Sequence, residues 1–134
     1  MTRSETLGVI AVAAGAVAAG PSVWQTITHI TDETYRAPEV RHGEGHVQYH
    51  MARETAVTAG AFGALASGVV AGPSRSPALW SAMVAATGGF VAAMWSGGPT
   101  TGVWAPNRPA LAIHVASTSL LTVGVALLRP RRRH

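Results

Sequence analysis

The chain has 134 residues, of which 48% are hydrophobic and only 12% charged. That leaves too few charges to solvate an ordinary globule of one-domain size. Its formal charge of +4 comes from arginine, with Arg129, Arg131, Arg132 and Arg133 crowded at the C-terminus and no aromatic residues between them, a pattern that suits a membrane-flanking tail and not a nucleic-acid surface. Cysteine is absent, which excludes disulfides, thiolate metal sites and cysteine nucleophiles.

A helix crossing about 30 Å of hydrocarbon needs roughly 20 mostly apolar residues. Four stretches meet that need, so the expected fold is all-α: an integral membrane four-helix bundle forming a single transmembrane domain over 1–134, with spans at about 7–29, 55–74, 77–98 and 109–128. The first stretch follows Arg3 and contains Ala16-Val17-Ala18, as a signal peptide would. Glu5, however, stands where a basic n-region belongs, and the stretch reads as a retained span.

Between the first and second spans, residues 30–54 form a polar connection that holds nearly all the titratable chemistry. Five of the six acids (Asp32, Glu33, Glu39, Glu44, Glu54) and four of the six histidines (His29, His42, His46, His50) fall between 29 and 54. His46, His50 and Glu54 recur every four residues. On a helix each lies about 40° round from the last, along one stripe suited to chelation or proton relay. Gly43 and Gly45 oppose a continuous helix through His42, so the second helix is expected to begin near Gly45 or His46, with His42 and Glu44 on a loop.

Within the second span Gly60, Ala64, Gly68 and Gly72 recur every four residues, a seam on which a neighbouring backbone can approach closely. Trp80 and Trp95 bracket the third span, roughly 22 Å apart on a helix, as interfacial indoles would, and Trp24 and Trp104 are candidates for the same part elsewhere. Gly97-Gly98-Pro99 breaks that span. In the fourth, His114 lies about 8 Å down from the end set by Pro109, a depth at which an ionisable group usually faces a partner or a cavity.

Arginines set the orientation. Arg3, Arg75 and the tail lie on one side and Arg36, Arg41, Arg53 and Arg108 on the other, which places both termini in the cytoplasm and the 30–54 loop outside.

Two chemistries fit the polar residues. His46, His50, Glu54 and His114, with Arg53 beside them, form a candidate acid–base set for a lipophilic small molecule entering from the bilayer. His29, His46, His50 and His114 are alternatively candidate ligands for a divalent transition metal, or less readily for haem. A metalloprotease is not indicated, because Val47-Gln48-Tyr49 supplies no glutamate between the histidines. Neither a phosphate-cradling loop nor a nucleophile elbow is present.

The order of spans, with a polar loop whose His46-Val47-Gln48-Tyr49-His50 element runs into the second span, resembles the small four-helix membrane proteins of the DoxX-like kind. The resemblance implies the bundle and nothing about substrate. A small membrane enzyme of isomerase or cyclase type is the leading expectation. An accessory subunit of a larger membrane complex, a homo-oligomer and a metal- or haem-binding module are the alternatives.

Overall fold

The computed structural model describes residues 1–36 and 45–130. Glu39, Arg41, His42, Glu44, three of the tail arginines (Arg131, Arg132, Arg133) and His134 therefore lie outside the described residues. Every regular element among those described is helical: α1 (Arg3–His29), α2 (His46–Val70), α3 (Pro77–Trp95), the short α4 (Gly97–Thr101) and α5 (Arg108–Leu127), with single 3-10 turns at Glu33–Tyr35 and Gly72–Ser74.

The boundaries follow local chemistry. The side chains of Thr2, Ser76 and Asn107 accept hydrogen bonds from the amides of Glu5, Leu79 and Ala110, and Pro77 and Pro109 occupy first-turn positions where no amide is needed. Gly45 precedes α2 with φ of 83°, a left-handed conformation that costs other residues more, and so fixes the helix start at His46. Serine 96 separates α3 from α4, and Gly102, also left-handed, ends α4.

Three of the long helices have the length and composition to cross a membrane: Arg3–His29, Pro77–Thr101 (α3 continued by α4) and Arg108–Leu127. The second expected span, 55–74, does not reach that standard. Its helix stops at Val70, and the apolar run after Glu54 is short of the roughly 20 residues required and rich in Ala, Gly, Ser and Thr.

The four long helices run up, down, up and down in a closed ring, each antiparallel to its neighbours: α1 to α2, α2 to α3, α3 to α5, and α5 back to α1. The tightest seam joins α1 to α5. A Cβ on Gly15 would lie 2.8 Å from Cγ of Leu121, and one on Gly124 would lie 2.7 Å from the Val12 amide nitrogen, so both positions exclude a side chain. The seam expected along α2 closes at one position only. Gly68 packs on Met83, whereas Gly60 and Gly72 have open space around them. In the middle of the bundle Phe62 and Phe90 meet edge to face, with ring centroids 5.3 Å apart.

One end of the ring is locked by Arg75, whose side chain is 2% exposed. Its Nε donates to the Gly68 carbonyl at 2.6 Å, one terminal nitrogen to the Leu128 carbonyl at 2.7 Å, and the other to Glu5 at 3.0 Å. Gly68 and Leu128 end α2 and α5, where carbonyls lack intrahelical partners and the dipole favours a cation; Glu5 opens α1, where the dipole favours an anion. Trp80 adds α3 to the same end by donating Nε1–H to the Val125 carbonyl at 2.9 Å.

The interior mixes apolar side chains such as Leu65, Met83, Leu121 and Leu128 with hydroxyls, and apolar residues also cover the outside. Ser117, Thr118 and Thr87 are buried, while Val17 is 77% exposed and Val57 73% exposed, and Ile10, Val115 and Val123 also face outward.

Replacing Arg75 by Met strands the Glu5 carboxylate and two helix-end carbonyls, and is expected to cost about 3–5 kcal/mol. Gly15→Ala is expected to lose about 1–3 kcal/mol through overpacking, whereas Gly88→Ala, inside α3 with open space at its Cβ, gains up to about 1 kcal/mol of helix propensity. Unfolding in detergent checks all three.

Candidate functional site

The end of the ring opposite Arg75 carries the titratable groups. His46 and His50, one turn apart on the first turns of α2, bring their Nε2 atoms to 3.1 Å, with ring planes at 81°. At that separation one nitrogen donates and the other accepts. Tyr49 lies edge-on to His50, and the Arg53 guanidinium sits 5.5 Å from the Tyr49 ring centroid.

His50, Arg53 and Glu54 then enter the upper end of a groove of about 670 Å³ between α2 and α3. Its walls below them are Val57, Gly60, Ala61 and Ala64 from α2 and Ala85, Gly89, Phe90 and Ala93 from α3. Most of the residues lining it below the polar head are small, Gly60, Ala61 and Ala64 on α2 and Ala85, Ala86, Gly89 and Ala93 on α3, so their side chains leave the space between the helices unfilled. From His50 to Ala64 it follows α2 for roughly 21 Å. Polar head and apolar trough thus form one continuous surface.

His114 is placed elsewhere. Its ring meets Trp95 edge-on at 5.6 Å, and it lines a separate cavity of about 330 Å³ with Pro21, Ser22 and Gln25 of α1 and Asn107 and Ile113. Its Nδ1 is buried without a hydrogen-bond partner among the described residues, and the cavity it lines is not the groove that His50 lines. His29 closes α1 with its ring centroid 3.9 Å from that of Tyr35. Among the described residues no three His, Asp or Glu side chains converge on a common point for a metal, so the four-histidine ligand set divides into one pair and two separate rings. A haem sandwiched by His46 and His50 is also disfavoured by geometry. Axial nitrogens stand about 4 Å apart on opposite sides of the iron, and these two approach from one helix face.

The turn leading out of α1 is fixed by Asp32. Its Oδ1 accepts from the Thr34 hydroxyl at 2.7 Å and from the Thr34 amide at 2.9 Å, which, with a smaller contribution from the nearby His29, hold the carboxyl below the usual aspartate range. Gln48 ties this turn to α2 by donating to the Asp32 carbonyl at 3.4 Å.

Sequence reasoning missed Gln48, a buried polar residue whose neutral side chain in a charged loop gives no signal, and the groove itself, which depends on how far α2 and α3 separate. The indoles also exchange parts. Trp80 and Trp95 donate inward to α5, the latter to Thr118 at 3.3 Å, and Trp24 and Trp104 are the exposed ones.

No family model, curated protein or solved structure matches the chain.

Because the folded pKa of Asp32 is lowered, its contribution to ordering the turn is present above the unfolded aspartate pKa and is lost as pH falls through the folded value. Thr34→Val removes the larger hydrogen bond. A carboxyl carbon-13 titration is expected to place the Asp32 midpoint higher in that variant than in the native chain; equal midpoints would contradict the assignment.

Proposed function

We propose that this chain is a small integral membrane protein, its termini on the cytoplasmic side, that takes a lipophilic small molecule with a polar head into the α2–α3 groove and moves a proton on that head with His50 and Glu54. The observation that carries the reading is the groove itself: about four helical turns long and of ordinary ligand-site volume, its apolar part the two turns from Val57 to Ala64, and its head an imidazole, a guanidinium and a carboxylate. The membrane setting is supported by three helices able to cross a bilayer and by valines and isoleucines turned outward around a core containing hydroxyls. α2 accompanies the other three with its short apolar part at bilayer depth, and its first two turns stand in the headgroup layer.

In this setting a chain-like substrate reaches the trough sideways from lipid. Arg53 favours an anionic or carbonyl-bearing head. The two titratable side chains, one helical turn apart, are suited to withdraw a proton at one atom and return it at another, as in isomerisation or cyclisation. The likeness in span order to DoxX-like proteins agrees with the bundle and adds no substrate.

A second reading has its own observation. Gly60 and Gly63 on α2 and Gly88 and Gly89 on α3 have open space where a Cβ would stand, and such faces receive transmembrane helices. Under this reading a second copy or a larger membrane complex covers the groove.

The test uses the purified full chain in lipid nanodiscs, a panel of unsaturated carboxylates, ketones and quinones, and deuterium incorporation from heavy water as readout. Exchange is expected on at least one class, with His50→Ala and Glu54→Gln each slowing it about 100-fold or more and Gly60→Leu weakening binding by at least tenfold. Exchange unaffected by all three variants contradicts the proposal. Inter-chain crosslinks through cysteines at 60 and 89, with no lipophile bound, favour the second reading.

A further inference from the structure

We propose that His46 and His50 form a two-nitrogen chelate for a first-row divalent cation at the mouth of the α2–α3 groove. The metal pair stands without the proton-transfer reading, since it rests on the two imidazoles, and with a metal bound the His50 nitrogen is a ligand and the acid–base work falls to Glu54.

The distance decides the geometry. Two imidazole nitrogens each about 2.0–2.1 Å from a metal stand about 2.9 Å apart at a right angle and about 3.3 Å apart at the tetrahedral angle. The observed 3.1 Å lies between these values. The nitrogens thus already stand at a chelating separation, and a cation, which would lie to one side of the line between them, requires both rings to turn toward it while that separation is kept. The four-residue spacing on one helix is what produces the convergence, as in helical zinc sites where two histidines one turn apart hold the ion.

The surroundings suit a cation. Glu54, one turn beyond His50, supplies a carboxylate to the same groove mouth. Arg53 lines the same groove mouth, its guanidinium 5.5 Å from the Tyr49 ring centroid, so the carboxylate of Glu54 is what offsets its charge there. No third described His, Asp or Glu completes a closed site. A water, or an oxygen of a molecule lying in the groove, would take a further coordination position, and a metal held this way would act as a Lewis acid on that oxygen. An open site of two protein ligands differs from a structural zinc site, which closes on four.

The test is a titration of the untagged full chain in detergent with copper(II), the divalent ion that nitrogen sites hold most tightly, read by electron paramagnetic resonance and followed by zinc displacement. One copper per chain is expected, with hyperfine coupling to two imidazole nitrogens. His46→Asn and His50→Asn each reduce affinity at least tenfold, while His29→Ala, His114→Ala and His134→Ala leave it unchanged. Circular dichroism and gel filtration establish that the Asn variants, altered near the helix surface, remain folded. Gly60→Leu blocks the trough and leaves copper binding intact, so failure of the lipophile reading and failure of the metal reading are separable. Absence of nitrogen coupling, or equal affinity in the two Asn variants and the native chain, overturns the proposal.

Discussion

Four antiparallel helices with little apolar core need something other than oil to fix their ends, and here a single guanidinium does so. Arg75 satisfies the free carbonyls at the ends of α2 and α5 and neutralises Glu5 at the start of α1. Trp80 joins α3 to the same place through Val125. All four long helices are thus registered at one end. The alternative, an unpaired buried Arg, is costly enough that the helices cannot slide without losing several hydrogen bonds at once.

That constraint gives the bundle two unlike ends. Near Arg75 the helices are close: Gly15 and Gly124 bring α1 and α5 into backbone contact, and Gly68 admits Met83. Toward the other end the residues lining the space between α2 and α3 are mostly Ala and Gly, which do not fill it, and a groove remains. The titratable groups stand at this open end. A tight end that sets register and a grooved end that carries the titratable groups are the arrangement expected when a site is built on rigid elements.

Much of the architecture was legible because charge and length alone locate apolar helices. The start of α2 at His46 followed from Gly45, and the partnership of His46 and His50 from their spacing. What stayed hidden depends on partners distant in sequence. Arg75 looked like a loop arginine obeying the positive-inside tendency, and Glu5 like an oddity before the first span; only the fold joins residues 70 positions apart. Periodic small residues pointed to α2 as the packing seam, yet the seam that closes uses Gly8, Gly15 and Gly124, which face large partners. His114 was placed at the right depth but in the wrong company, since depth along one helix says nothing about which neighbour it faces.

Two polar regions therefore coexist at the open end, one around His50 and Glu54 and the other around His114, separated by the bundle itself. The first lies at the head of the α2–α3 groove, and the central proposal is that this groove receives lipophilic molecules from a bilayer. Photolabelling of the native chain in nanodiscs with a diazirine-bearing long-chain carboxylate, followed by peptide mapping, tests it most directly. Adducts are expected along Val57, Gly60, Ala64, Ala85 and Gly89, and their loss in Gly60→Leu. Adducts spread evenly over the outward faces of α1 and α5, with none in the groove, would contradict it.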